Sequence, residues 1–566
     1  MKKFCFLLFT LSLSFLHCQG SENELSFQPD AAPESHILYL MHIGETAKAL
    51  QEYQNYHTQT QSHDFELIEK IATILLDQGW KSDDPEIQLL TLFGAGISAN
   101  EKTLYILEEG TNCSQPELQL IALNLLSRYQ NDHADVCLHR AMSSNHLLIR
   151  LEAAFQLAEN KDPRALGQIE ALMAKVDEDL WTLFAELYAL VGTPQAKKNL
   201  RKLLTHDDEA VRIAAILSIA ENEHDDFLPV IRRLSSHHGP AQQEACATAL
   251  GHLKDQSSCS LLTGLLKSPH QNVQVAALKA LYKLGRVEFK EKMELLAKKN
   301  DLCAIASLGL MKGSEDVLAA LLTSSNPHVQ LNAAFALLEL GDSRCLPIIY
   351  RVLLRNASDI AFLKSHSQGE SLTYLRAVPC AKQNLKDTPL ALEISLHIRE
   401  AALLHAMELP EKDFLALADA LFESQQNDLV PTLASLLENH PTQAAITLLK
   451  KHQQKAGAPL IRNYCNLVLY RLKQPGPYGD NLRQWVAHQQ NIDLIRFRPT
   501  LPLDLRDKTS AFQLTPQETS RLLIEAFESF VSTQDDKGVD TLISIIKTGN
   551  SKNKYALIGL LMRAIQ

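Results

Sequence analysis

The chain has 566 residues, with 55 Lys and Arg against 66 Asp and Glu, so its formal net charge is −11. This acidic balance argues against the usual basic nucleic-acid binder. The sequence is 46% hydrophobic and 21% charged, which excludes a wholly disordered chain. Its 6% aromatic content suits Leu- and Ala-rich helices better than a β-sandwich.

The amino terminus predicts export. Lys2 and Lys3 precede an apolar run from Phe4 to Leu16, the pattern of a secretory signal peptide. This run is shorter than the roughly 20 residues that a membrane-spanning helix needs. We therefore expect an exported protein, either periplasmic or anchored to a bacterial membrane.

Two processing routes remain open for this segment. Cys18 resembles the lipidated cysteine of bacterial lipoproteins, although His17 stands where that motif has a small residue. Ordinary cleavage after Gly20 is the alternative, since small residues precede that bond. We expect the protein to contact the membrane only through this lipid. Residues 21–33 are predicted to form a flexible lead.

A repeat of 31 residues runs through the next part of the chain. Residues that start a helix recur at this step, apolar except for one Gln: Ile87, Leu118, Ile149, Leu180, Val211, Gln242 and Val273. The residues four positions later are mostly small: Thr91, Ala122, Ala153, Phe184, Ala215, Cys246 and Ala277. Because these offsets share one side of a helix, the small column predicts close approach of a neighbouring helix.

A second helix follows the same step. Its apolar residues are Leu107, Leu138, Ile169, Leu200, Ile231 and Leu262. Each unit is thus a helical hairpin, which cannot bury both faces unless neighbouring units stack on it. The predicted fold is all-α, a right-handed α-solenoid of stacked helical hairpins.

Two of these units resemble a known repeat. Residues 208–219 and 271–285 are similar to the short bacterial HEAT repeat, including the version found in phycobilisome lyases. The resemblance covers residues 85–345 and implies an armadillo/HEAT-type architecture, but says little about function. Arg is frequent in that family just after the first apolar residue, where this chain has Gln88, Gln119, Arg150, Trp181, Arg212, Gln243 and Gln274.

The flanking regions complete the predicted organisation. We expect N-terminal capping helices in 34–80, regular repeats in 81–345, degenerate helical repeats in 346–473, a loop and extended segment in 474–514, and C-terminal helices in 515–566. Thr515 and Glu518 form a capping box with Pro516 at the predicted first helical position.

No catalytic motif is recognised among the zincin, phosphate-loop, nucleophile-elbow and dinucleotide patterns. His133, Asp135, Cys137 and His139 are all of ligand type, but only His133 and Cys137 share a helix face. We therefore predict no metal site, no cofactor and no enzyme activity. Cys246 occupies the small column and is interpreted as core filler, and cysteine spacing leaves any disulfide pairing open.

Two features are candidate partner-binding sites. Trp181 is an aromatic residue in an otherwise polar column, which we define as the seven residues from Gln88 to Gln274 that recur at the 31-residue step. Residues 450–508 carry eleven Lys and Arg against four Asp and Glu, and this section includes Trp485, Arg496 and Arg498. An anionic surface on a partner would suit such a section, although a simply solvated face is the plainer interpretation.

The sequence as a whole favours a non-enzymatic exported scaffold that holds another envelope protein or peptide along a solenoid surface. Two alternatives stay open. One is a HEAT-repeat enzyme or chaperone-like lyase, and the other is a purely structural envelope tether.

Overall fold

The computed structural model describes residues 32–126, 129, 132–236, 239–354, 360–379, 389–424, 427–455, 457–489, 497–500, 513–516, 518–533 and 535–563. The predicted signal peptide, Cys18 and Arg496 lie outside these residues. No helix in the described ranges is long and apolar enough to cross a membrane.

Helices make up most of the described chain. The first fifteen are α1 (Pro33–His42), α2 (Thr46–Thr60), α3 (Phe65–Trp80), α4 (Pro85–Ser98), α5 (Leu104–Gly110), α6 (Pro116–Leu126), α7 (Asp132–Ala141), α8 (Leu147–Glu159), α9 (Leu166–Met173), α10 (Trp181–Val191), α11 (Pro194–Leu203), α12 (Glu209–Glu221), α13 (Leu228–Leu234), α14 (Pro240–His252) and α15 (Cys259–Leu265). The remaining helices are α16 (Gln271–Lys283), α17 (Lys290–Lys298), α18 (Leu302–Ser307), α19 (Glu315–Leu321), α20 (Pro327–Glu339), α21 (Leu346–Leu354), α22 (Pro389–His405), α23 (Glu411–Ser424), α24 (Val430–Asn439), α25 (Gln443–Gln453), α26 (Pro459–Arg471), α27 (Tyr478–His488), α28 (Glu518–Ser532), α29 (Asp536–Thr548) and α30 (Asn553–Arg563).

Short polar turns start many of these helices. Asp84 accepts a hydrogen bond from the backbone N–H of Glu86, and Pro85 takes the first helical position. Asn326 and Pro327 repeat this arrangement at α20. The side-chain cap satisfies a free N–H, and proline has no N–H to leave unpaired there, so both favour helix initiation.

The predicted small column lies at the helix interfaces. Its members have 0% exposure: Thr91, Ala122, Ala153, Phe184, Ala215, Cys246 and Ala277. They belong to even-numbered helices, each of which packs against the next even-numbered helix. The approach is close, because a Cβ built on Gly251 of α14 would lie 2.6 Å from Cα of Ala280 in α16. These observations confirm the predicted all-α solenoid.

The solenoid closes on itself. The even-numbered helices from α4 to α30 contact one another in succession, and α30 then packs against α4. Lys552 forms an ion pair with Glu86 across this junction, and Lys547 Nζ donates hydrogen bonds to Gln51 and Gln54 at 2.7 Å each. We call the even-numbered helices α4–α30 the inner helices and the odd-numbered helices α3–α29 the outer helices, because the more closely packed layer lines the inside of a closed ring.

Closure changes the role of the N-terminal helices. They were predicted to cap an open end, but α3 and α4 pack against α30, and α2 packs against α29. The apolar surface of the first repeat is therefore covered by the last repeat. A polar terminal cap is needed only where the end of a solenoid faces water.

A β-hairpin lies within 346–473, the region that was predicted to contain degenerate helical repeats. Strands β1 (Ile360–His366) and β2 (Thr373–Pro379) pair antiparallel, with Ile360 opposite Pro379 and His366 opposite Thr373. The hairpin packs against α18, α20 and α22. Phe362 forms a small apolar cluster there with Leu331, Val352 and Ile398.

The C-terminal boundaries also differ from prediction. Helix α27 falls inside 474–514, which was expected to be a loop and extended segment. Strands β3 (Phe497–Thr500) and β4 (Gln513–Pro516) form a second antiparallel pair. Pro516 therefore ends a strand, and α28 begins at Glu518 instead of at Pro516. The capping-box pattern was correct about a nearby helix start but displaced by two residues.

Candidate functional site

The hairpin between β1 and β2 inserts its tip against the inner helix α14. Buried Glu244 accepts hydrogen bonds from Ser371 Oγ at 2.7 Å, from the Gly369 N–H at 3.2 Å and from the Ser367 hydroxyl. A Cβ on Gly369 would lie 2.4 Å from the carbonyl oxygen of Ala241, so the tip has no room for a side chain there. One carboxylate thus fixes the whole turn.

The strands are held through their backbones. Asn332 of α20 donates from Nδ2 to the Leu375 carbonyl at 2.8 Å and accepts from the Leu375 N–H at 2.7 Å. His328 Nδ1 accepts from the Ala377 N–H at 3.2 Å. These bonds occupy the outer edge of β2, which would otherwise present unpaired backbone groups.

The other strand is also held through its backbone. Ser395 Oγ of α22 accepts a hydrogen bond from the Phe362 N–H at 3.3 Å. Side chains of the inner helices therefore bind an extended chain segment by its main-chain groups, and apolar contacts at Phe362 add to them. This is the chemistry by which a surface binds an extended peptide.

A cavity of about 220 Å³ lies beside the hairpin tip, between β1, β2 and the inner helices α12 and α14. Its lining is mostly polar or charged: Leu217, Ala220, Glu221, Thr248, His252, Lys364, His366, Glu370, Ser371 and Thr373. Groups of both charges face this space. The cavity can accept a polar side chain or a small polar molecule.

Trp181, the first predicted contact residue, stands at the start of inner helix α10 and is half-buried. Its ring lies 5.0 Å from that of His206, and its buried Nε1 has no hydrogen-bond partner among the residues that the structure describes. Its neighbours in the polar column show what this position normally does. Gln274 Nε2 donates to the Ser268 carbonyl at 2.6 Å, and Gln88 Nε2 to the Ser82 carbonyl at 2.9 Å.

In several repeats the residue at this position therefore links its inner helix to the loop six residues before it. Arg212 does the same, since its Nη1 donates to the His206 carbonyl at 2.6 Å while its Nε donates to Gln242 at 2.7 Å. The second bond explains why Gln242 interrupts an apolar column. Trp181 departs from this internal role, and its contact with a partner stays a prediction.

The other predicted contact residues are placed less favourably. Trp485 is half-buried against the core from helix α27. Arg498 belongs to β3, and the structure gives no description of its side chain, while Arg496 lies outside the described residues. In the part of the chain that the structure describes, none of these residues contacts Trp181.

The basic section has carboxylate partners from other parts of the fold. The pairs are Lys451 with Asp419, Lys455 with Glu423, Arg471 with Glu438 and Glu525, and Arg483 with Asp480 and Asp535. Most of these acids lie outside 450–508. The positive charges of these four described residues are therefore offset by carboxylates within the folded chain.

The residues of the His133 group have separate partners. His133 faces Glu108 at 3.7 Å, Arg164 pairs with Asp135 at 3.1 Å, and His139 Nε2 lies 2.8 Å from Asp162. The group does not converge on a common point.

The described cysteines are free thiols: Cys113, Cys137, Cys246, Cys259, Cys303, Cys345 and Cys465. Cys246 is fully buried in the small column, as expected for core filler. Burial raises the pKa of the Cys246 thiol well above its usual range, and raises that of Cys303 to about 12. Such thiols stay protonated near neutral pH and are poor nucleophiles.

Comparison with known proteins agrees with this architecture. The family of HEAT repeats matches residues 228–309. No curated protein matches the chain.

Among solved structures, the complex of CpcE and CpcF of phycocyanin lyase from Nostoc sp. PCC7120 is 22% identical, with a TM-score of 0.28, over 38% of this chain and 92% of that chain. The karyopherin Kap121p, bound to the extreme C-terminus of the protein phosphatase Cdc14p, is 12% identical with a TM-score of 0.40. That match covers 93% of this chain and 64% of the karyopherin. The helix contacts themselves show that the chain is an all-α solenoid, and residues 228–309 of it match the HEAT repeats.

Proposed function

We propose that the protein is a non-enzymatic binding scaffold, exported to the bacterial envelope, that holds an extended segment of another envelope protein against its inner helices. The observation that supports this is the way the inner helices bind the β1–β2 hairpin. Asn332 pairs with both backbone groups of Leu375, and Glu244 accepts from the tip. The inner helices thus carry side chains of the type that bind an extended segment by its backbone.

The first test is capture of the partner. The full-length protein with a carboxy-terminal tag is crosslinked in cells, purified and examined by mass spectrometry. A single envelope protein recovered in constant ratio supports the scaffold. Recovery of the protein alone argues against it and directs attention to small molecules for the cavity beside Lys364 and His366.

The second test asks which face the partner contacts. A photocrosslinking amino acid is introduced at Leu148 of inner helix α8, which is 59% exposed, or at Leu295 of outer helix α17, which is 57% exposed. The two positions have the same residue type and nearly equal exposure. We expect the partner to crosslink at position 148 and not at position 295, and the reverse result would contradict binding at the inner helices.

Export is tested on the native N-terminus. Mass spectrometry of the mature chain distinguishes a lipid-modified Cys18 from a chain that starts at Ser21. Either result supports export, and lipid at Cys18 would indicate membrane anchoring through two or more acyl chains. An unprocessed chain in the cytoplasmic fraction would contradict the proposal.

A further inference from the structure

Two histidines and one aspartate meet where the two ends of the chain join. His57 lies in α2, His63 in the link between α2 and α3, and Asp540 in α29. Asp540 Oδ1 is 3.3 Å from His57 Nδ1 and 3.8 Å from His63 Nε2. The ligand atoms of all three side chains lie within 4.8 Å of one another.

The separation of 3.3 Å between Asp540 and His57 is that of two ligands around one small cation, and the other separations are longer. Zinc binds imidazole nitrogen and carboxylate oxygen at about 2.0–2.2 Å, so neighbouring ligand atoms in a tetrahedral site lie about 3.3 Å apart. The imidazole rings of His57 and His63 are stacked, with centroids 3.8 Å apart and planes 5° apart. A shared ion must lie near both ring planes, so one ring has to turn about its Cβ–Cγ bond.

There is space for this rotation on the His57 side. A cavity of about 440 Å³ is lined by His57, Asp540, Gln54 and Ser544, among others. The His57 side chain is 14% exposed, whereas that of His63 is fully buried. His63 would therefore act as the fixed ligand, and His57 would reorient toward the ion, leaving a coordination position open to the cavity.

The surroundings of His63 orient its Nε2 atom. Tyr53 Oη lies 3.1 Å from His63 Nδ1 and accepts a hydrogen bond from the Asp64 N–H at 3.2 Å. When Nδ1 carries the proton, it donates to Tyr53 and leaves the Nε2 lone pair facing Asp540. Metal-binding histidines typically have an outer partner of this kind. The Asp536 carbonyl oxygen lies 3.3 Å from Nε2, where it accepts a hydrogen bond when Nε2 carries the proton and would be a further oxygen ligand beside a bound ion.

A second group of ligand-type residues provides a contrast. Asp419, Glu423 and His452 are equally close together, but Lys451 and Lys455 already pair with the two carboxylates. An ion there would have to displace two ammonium groups. In the described ion pairs, Asp540 has only histidine partners.

We infer that His57, His63 and Asp540 form a binding site for one divalent ion of the zinc class, which links α2 to α29 at the ring closure. This inference does not depend on the proposed scaffold function. Because the ligands come from opposite ends of the chain, an ion bound there stabilises the closed ring and not the open one.

The test is isothermal titration of the full-length, chelator-treated protein with ZnCl₂. We expect saturable binding of one ion, weakened about tenfold or more in Asp540→Asn and in His57→Gln. Both side chains are partly exposed, so these variants should fold. Glu423→Gln, from the contrasting group, is the matched control and should bind zinc as the native chain does.

A spectroscopic measurement checks the ligands directly. Co²⁺ added in place of zinc should give the intense visible absorption of a tetrahedral site in the native chain and lose it in Asp540→Asn. The inference is overturned if no single-site binding occurs, or if Asp540→Asn and His57→Gln bind zinc with unchanged affinity. Equal weakening by Glu423→Gln would also overturn it.

Discussion

Gly94 and Gly559 meet backbone to backbone where α4 packs against α30. A Cβ built on Gly559 would lie 2.1 Å from the carbonyl oxygen of Gly94, and one built on Gly94 would lie 2.1 Å from the carbonyl oxygen of Tyr555. Neither position can accept a side chain unless the two helices separate. The closed ring therefore depends on glycine at both positions.

Gly559→Ala should weaken the closure. The added methyl group meets main-chain atoms, which cannot move aside as a flexible side chain would, so we expect a loss of about 1–3 kcal/mol in the free energy of unfolding. Small-angle X-ray scattering should show a larger radius of gyration if α30 separates from α4. Urea unfolding measures the stability.

Gly264→Ala in outer helix α15 is the control for that change. A Cβ at Gly264 would meet nothing within 4 Å. Alanine there should leave the radius of gyration unchanged and stabilise the chain by up to about 1 kcal/mol through helix propensity. If the two alanine variants behave alike, the glycine contact does not control closure.

Glu244→Gln should loosen the hairpin tip. All described partners of the carboxylate donate hydrogen bonds to it. In either orientation of the glutamine amide, its NH2 group faces the N–H of Gly369 or that of Ser371, and that N–H loses its acceptor. Leaving one buried N–H unpaired costs about 1–3 kcal/mol. Hydrogen exchange of residues 367–371 should accelerate.

The exposed Glu288 gives a matched substitution away from the hairpin. Glu288→Gln should change stability by less than about 0.5 kcal/mol and leave hydrogen exchange at the tip unaltered. Unchanged exchange in Glu244→Gln would show that the carboxylate does not hold the tip.

Asp162 should make stability depend on pH in the acid range. Burial disfavours its charge, but hydrogen bonds from Arg164 and His139 outweigh burial and lower the pKa of Asp162 to about 2. A lowered pKa stabilises the fold above the ordinary aspartate pKa, and this stabilisation is lost as the pH falls toward 2. It amounts to about 2 kcal/mol.

Asp162→Asn isolates this contribution. The native chain should exceed the variant by about 2 kcal/mol near pH 6, and the difference should shrink below about pH 4. Urea unfolding across this range is the measurement. A difference that stays constant down to about pH 2 would rule out the carboxylate charge as its cause.

Trp181→Gln should be more stable than Trp181→Ala. Gln274 and Gln330 each donate to the carbonyl six residues earlier, so glutamine at 181 should donate to Lys175 and recover about 1 kcal/mol. Thermal unfolding compares the variants. Equal stability of the two variants would contradict the role of this position in binding the preceding loop. If Trp181 also contacts the partner, both variants should lose partner capture.

The repeat was predictable because its signals are local. The column from Ile87 to Val273 and the small column from Thr91 to Ala277 follow one helical period and one repeat step. The β-hairpin was not predicted, because its strands are only seven residues long and lie between helices in a region assigned to degenerate repeats. The ion pairs of the basic section could not be predicted from it, since the carboxylates that pair with Arg471 and Lys455 lie outside it.

The sequence by itself determined the helical hairpins and their stacking, because each hairpin leaves an apolar face that the next one must cover. Only the tertiary structure determined the closure of the ring, the position of the hairpin tip and the contact between His57 and Asp540. Lys552 and Glu86 are 466 positions apart, and no periodic pattern relates residues at that distance. Whether the ends of a solenoid meet depends on small rotations summed over every repeat, which only the packed side chains fix.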